Sequence, residues 1–159
     1  MKQLIAISEF LIGLNLVAAE QIDPWADQMK ITPAGTSKGA GGTIIFRNEY
    51  VAVIFIERYP HKVHSPNLLW AHISAWLMDN DGDRFDQRDA SIKIEVDILD
   101  DETADVMISI DFIEEVGIVE DSGGDIRLDG KYWRLDEPEI YYALSGELKE
   151  PVEWIGEQP

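Results

Sequence analysis

The sequence predicts an α+β fold, with two helices packed on one face of a mainly antiparallel β-sheet. Three observations carry that prediction. Apolar residues recur at helical spacing at the N-terminus and again from Leu68 to Leu77. Apolar and polar residues then alternate from Ser91 to Ile98 and again from Asp105 to Phe112, and an Asp129-Gly130 pair sits between two short alternating runs. At 159 residues the chain can bury about two thirds of its unfolded surface in one core and is short for two ordinary domains. Residues 1–159 are therefore expected to form a single domain, with a mobile loop at 33–43 and a short acidic C-terminal tail.

The opening stretch, "MKQLIAISEFLIGLNLVAA", has the basic start, apolar run and small-residue end of a secretion signal, but Glu9 and Asn15 interrupt the apolar run. It reads better as a helix. Lys2, Glu9, Gly13 and Glu20 make one narrow polar stripe, and nearly all the remaining circumference is apolar. Such a helix needs cover from its own core or from another chain, an expectation that points to self-association. No apolar run reaches the roughly 18 residues of a membrane span, so no membrane partner is expected.

Pro24 and Pro33 then act as breakers, and residues 33 to 43 hold four glycines with almost nothing apolar, the basis of the loop expectation. The glycines lack the Gly-Lys-Ser/Thr ending of a phosphate-binding loop. "TIIFRNEYVAVIFIERY" predicts a hairpin from Thr43 to Phe46 and Tyr50 to Tyr59 with a turn at Arg47 to Glu49. Its second arm is apolar on both faces, as a central strand would be.

Pro60 and Pro66 punctuate a connector. Ser65 or Asn67 can cap the helix that follows, whose core stripe is Leu68, Leu69, His72, Ile73, Trp76 and Leu77. Ile92, Ile94, Val96 and Ile98, then Val106, Ile108, Ile110 and Phe112, define two antiparallel strands joined near "DDETA", each with one dry face. "DIRLDGKYWRL" is a hairpin, and the chain closes on a further strand pair turning at Ser145-Gly146.

The absence of cysteine excludes disulfides, thiolate metal sites and a cysteine nucleophile. With 31 acids against 13 bases the formal charge is −18, which repels nucleic acid and anionic membranes and favours basic partners. Sequence-specific nucleic-acid binding is not expected.

Asp79, Asp81 and Asp83 stand at the first three ligand positions of a calcium loop. The sixth position is Arg84 instead of glycine and the twelfth is Ala90 instead of glutamate, so "DNDGD" reads mainly as a helix stop and a turn, a weak calcium candidate at most. His61, His64 and His72 lack an obvious fourth ligand for zinc. No spacing pairs a nucleophile with a base or two acids in a cleft, so neither catalysis nor a cofactor is expected.

Four blocks in order, "IIFRNEYVAVIFIERY", "LLWAHISAWLMDND", "SIKIEVDILDDETADVMISIDFIEEVGIVED" and "YYALSGELKEPVEW", resemble the tail completion protein R family of temperate, contractile-tailed phages of the P-two type. The likeness runs over about residues 43 to 154 and departs from the family at 33 to 43 and at "DIRLDGKYWRL". It implies a tail terminator-like fold and a structural role at the head-proximal end of the tail, closing tube and sheath and preparing the tail for head joining. The implied partners are further copies of itself in a ring, hexameric in related terminators, and tail tube, sheath or neck proteins. The implied locations are the virion tail and the host bacterial cytoplasm during assembly. Partner contacts are expected at Thr36, Lys38, Gly42, Trp70 and Trp154. The alternative of another class is an acidic DNA mimic that blocks a host nucleic-acid-binding protein.

Overall fold

The computed structural model describes residues 1–39, 41–87 and 89–137. It is an α+β structure of three helices and a six-stranded, mainly antiparallel sheet. The helices are α1 (Lys2–Gly13), α2 (Pro66–Asn80) and the single turn α3 (Arg84–Gln87). The strands are β1 (Ile22–Gly39), β2 (Gly42–Tyr59), β3 (Lys93–Ile98), β4 (Ala104–Glu120), β5 (Ile126–Leu128) and β6 (Lys131–Leu135). Their order is β1-β2-β4-β6-β5, with β3 also paired to β4. The chain divides into two compact units, one made of Met1–Asp27 with Val51–Asp111, the other of Gln28–Tyr50 with the chain from Phe112 on.

In the first unit α1 buries Leu4, Ile7, Ser8 and Leu11 and exposes the expected stripe of Lys2, Glu9 and Gly13. It stops earlier than its apolar run suggests. Asn15 adopts a left-handed backbone, φ 57°, and its N–H donates to the Ile12 carbonyl at 3.2 Å, a helix-ending turn for which Asn is one of the few suitable side chains. Glu20 instead belongs to a 3-10 turn, Ala19–Gln21. The Gln21 amide nitrogen donates to the Glu57 carbonyl at 2.7 Å.

Helix α2 starts as the residues require: Ser65 Oγ accepts from the Asn67 N–H at 3.1 Å, and Pro66 sits where a missing donor costs nothing. Leu69, Ile73, Trp76 and Leu77 are buried, whereas Leu68, expected in the same stripe, is exposed. The Phe10 ring of α1 meets His72 edge-on at 6.2 Å between centroids and Trp76 at 6.4 Å. In β4, Ala104, Val106, Ile108 and Ile110 are buried and alternate with partly exposed Asp105, Met107 and Ser109, the predicted period of two. Strand β3 pairs antiparallel with it, Ile94 opposite Ile108 and Val96 opposite Val106. Each fully buried Ile or Leu in this set stabilises the unit by about 1.5–3 kcal/mol.

Two expectations are corrected. Residues 33–39 and 42–43 are strand, not a loop, and no turn interrupts β2 at Arg47 to Glu49. Glycine content and the two prolines suggested irregular chain, but β1 stands at the end of the sheet order, where proline's missing donor is tolerated. Gly35, Gly39 and Gly41 take left-handed φ values of 75 to 79°. In β2 the polar triplet hides a run in which every second side chain from Asn48 to Ile56 is buried: Asn48, Tyr50, Ala52, Ile54 and Ile56. The expected central strand is real: β2 lies between β1 and β4.

In the second unit the Tyr50 ring packs 5.9 Å from that of Phe112, and its hydroxyl donates to the Glu114 carboxylate. The Asp129-Gly130 hairpin forms as read: both residues have positive φ, 57° and 76°, which matches a two-residue primed turn joining β5 and β6. Trp133 is buried, and its indole N–H donates to the Leu128 carbonyl at 3.0 Å.

Gly124 lies where a side chain cannot go, because a Cβ there would sit 2.1 Å from the Trp133 carbonyl oxygen. Gly124→Ala is expected to cost about 3 kcal/mol or more, the range of severe steric misfits. Urea unfolding checks this, with loss of the cooperative transition in the tryptophan emission as the stronger outcome.

Candidate functional site

At the end of α2 the aspartates are positioned by a helix stop. Asp79 is exposed on the last turn, Asp83 is exposed in the turn beyond, and Asp81 caps the helix, its N–H donating to the Leu77 carbonyl at 2.7 Å. The Asp81 carboxylate is engaged by Arg84, whose Nε donates to Oδ2 at 3.0 Å. The Arg84 side chain is 0% exposed and that of Asp81 12%. Arg84 Nη2 also donates to the Asp111 carbonyl, tying α3 to β4 inside the first unit. Sequence reasoning weighed Arg84 only as a misfit for a calcium loop. The available signal was an arginine three residues after an aspartate at a helix end, a spacing suited to an ion pair.

The three histidines do not converge. His61 Nε2 lies 3.3 Å from the Asp100 carbonyl oxygen, the His64 N–H donates to the Pro60 carbonyl, and His72 meets Phe10. Among the described residues no group of three or more His, Asp or Glu could hold a metal ion. No helix among them is long and apolar enough to cross a membrane.

Asp100 organises the β3–β4 turn. Its Oδ1 accepts from the Glu102 N–H at 2.8 Å, the Thr103 N–H at 2.7 Å and the Thr103 hydroxyl at 3.0 Å. These donors hold its carboxyl below the usual range, the Glu102 and Thr103 backbone bonds first. The Ser91 backbone N–H does the same for Asp89.

Of the expected contact residues, Thr36 is exposed near the end of β1, Lys38 follows it in that strand, and Gly42 opens β2. All three belong to the β1–β2 hairpin. Trp70 is half-buried in α2, in the other unit, and Trp154 lies outside the described residues. The apolar excess expected on α1 is not on its surface: none of its large apolar residues is among the exposed ones. The exposed apolar side chains are elsewhere, with Met29 and Ile31 on β1 and Val96, Ile98 and Leu99 on and after β3.

The comparisons with known proteins fall on this arrangement. The family model for P2 phage tail completion protein R (GpR) matches residues 1–138. The chain belongs to this family. As a tail completion protein R family member it is a phage tail protein, hence a virion component that interacts with other tail proteins. The chain is also 33% identical over 119 residues to a protein of Haemophilus phage HP1 (strain HP1c1), described as an uncharacterized 19.2 kDa protein in the rep-hol intergenic region. That likeness covers 75% of this chain and 72% of the relative. No solved structure matches.

Two outcomes test the local chemistry. Arg84→Ala leaves the Asp81 carboxylate and the Asp111 carbonyl without their buried donor and is expected to cost about 3 kcal/mol, read by chemical denaturation. Asp100→Asn should lower the melting temperature at neutral pH. Because folding depresses the Asp100 pKa, its stabilising effect is present above the unfolded pKa and is lost as pH falls through the folded one. The gap between parent and Asp100→Asn should therefore close in acid, measured by thermal unfolding across that range.

Proposed function

We propose that this protein completes the tail by capping the head-proximal end of the tail tube and sheath as a closed ring, hexameric as implied by its resemblance, and so prepares the tail for head joining. The observation that carries the reading is the family match over residues 1–138. In this reading residues 1–159 act as a single protomer, α1 and α2 cover one face of the sheet, and the protein works by shape and valency without catalysis or cofactor. Each copy contributes a modest contact, and a closed ring multiplies these into one stable cap.

The charge of −18 supports the same role, since a negatively charged lumen does not retain the phosphate backbone of passing DNA. It also disfavours sequence-specific nucleic-acid binding. Assembly takes place in the host cytoplasm before the tail joins a head, and Thr36, Lys38, Gly42, Trp70 and Trp154 contact neighbouring subunits or tail proteins.

Tail tubes assembled with and without the purified protein test this. Negative-stain microscopy is expected to show added density at one end only, and light scattering of the protein alone a discrete multimer of about six protomers. Bare tube ends at saturating protein would overturn the capping role. A salt-sensitive complex with a basic host nucleic-acid-binding protein, with no end density, would favour the DNA-mimic alternative.

A further inference from the structure

Two strands, β1 and β3, each carry a pair of exposed apolar residues and are complementary in sign. Although acids outnumber bases by 31 to 13 over the chain, the stretch from Gln28 to Asn48 contains Lys30, Lys38 and Arg47 and no Asp or Glu. Within it Met29 and Ile31 are 54% and 60% exposed and alternate with exposed Lys30. Among the described residues β1 has only β2 beside it, so it is an end strand of the sheet.

Strand β3 is the acidic counterpart. Among the described residues it pairs only with β4. Its apolar residues Val96 and Ile98 are 51% and 63% exposed, although the register sets them opposite the buried Val106 and Ala104. Its other face carries Glu95 and Asp97, and the turn beyond adds Asp100, Asp101 and Glu102, all exposed. An exposed edge with apolar side chains is a template for an added strand.

We propose that β1 of one copy adds to the β3 edge of a second copy. Side chains alternate with a period of two, so seating Met29 and Ile31 beside Val96 and Ile98 necessarily sets Lys30 beside Glu95 or Asp97. The lengths are compatible: Gln28 has a left-handed backbone, φ 51°, and Pro33 lacks an N–H, so the run Met29–Thr32 is left to pair within the six residues of β3. The occupant is a second copy because the chain itself carries the basic, apolar strand that this acidic edge fits. The contact joins two different surfaces, so repetition produces a ring or a filament. It deepens the self-association in the proposed function and rests on that reading.

The absence of cysteine makes the test clean. Met29→Cys, carrying a size tag, and untagged Val96→Cys are mixed under mild oxidation. The expected result is a 29–96 heterodimer in excess of both homodimers. Lys30→Glu on the tagged chain should reduce it at least about fivefold, and Glu95→Lys with Asp97→Lys on the other chain should restore it, the pattern of an opposite-charge pair.

A heterodimer no more abundant than the homodimers, or one indifferent to Lys30→Glu, overturns the contact. So does exclusive linkage within one chain when both cysteines are placed together. If Val96→Cys does not fold, Ile98→Cys on the same face takes its place. Light scattering of the parent protein separates the two readings. A discrete multimer without 29–96 linkage removes only this contact. A monomer at all concentrations, with no linkage even on tail tubes, removes the contact and the ring together.

Discussion

The rest of the structure hangs on the two-residue period of burial in β2 and β4. From Asn48 to Ile56 and from Ala104 to Phe112 every second side chain is buried. A slip of one residue in β4 would turn those side chains to water and bring Asp105 or Asp111 inside, so burial sets its register. Both strands supply residues to both compact units, which means that the same constraint organises each of them. Arg84, the Asp100 turn and the β5–β6 hairpin are then built onto strands already fixed in register.

Where a side chain's environment follows from its neighbours in sequence, the fold was legible. The β3–β4 pairing, the Ser65 cap, the Lys2, Glu9 and Gly13 stripe of α1 and the Asp129-Gly130 turn rest on local patterns and were read correctly, whereas the dry face expected of β3 is not there, since Val96 and Ile98 are exposed. The hairpin from Ile22 to Tyr59 was misread because its signals conflict: prolines and glycines describe irregular chain unless the strand is known to lie at the end of a sheet, which only topology decides. Arg84 escaped notice for a related reason. Its carbonyl partner, Asp111, is 27 positions away, and no local pattern shows that distance. The expected contact residues on the hairpin share one element, but the exposed apolar residues beside them, Met29 and Ile31, were hidden by the same loop reading.

The resemblance in the sequence came from the order of several blocks rather than from any one of them, and the family model over residues 1–138 shows the membership. A catalytic site compresses into a few residues of fixed chemistry, whereas an interface is spread over strands and turns that many sequences can supply. The charge distribution is more specific than the total. A chain at −18 that keeps its acids off Gln28–Asn48 combines general repulsion with one basic segment, and such an arrangement limits which surfaces can meet.

The interleaving of the two units has a consequence for synthesis. One unit is assembled from residues 1–27 and 51–111, the other from 28–50 and the chain from 112 on. As the chain leaves the ribosome, the first unit cannot close until Asp111 has emerged, and by then the Gln28–Tyr50 hairpin is already outside without β4 beyond Phe112 and β6. The strand pairings that matter most join distant parts of the chain, which makes folding slow relative to a helical protein of this length. The nascent chain therefore passes through a stage in which the Gln28–Tyr50 hairpin waits for its later strands with its pairing edges uncovered.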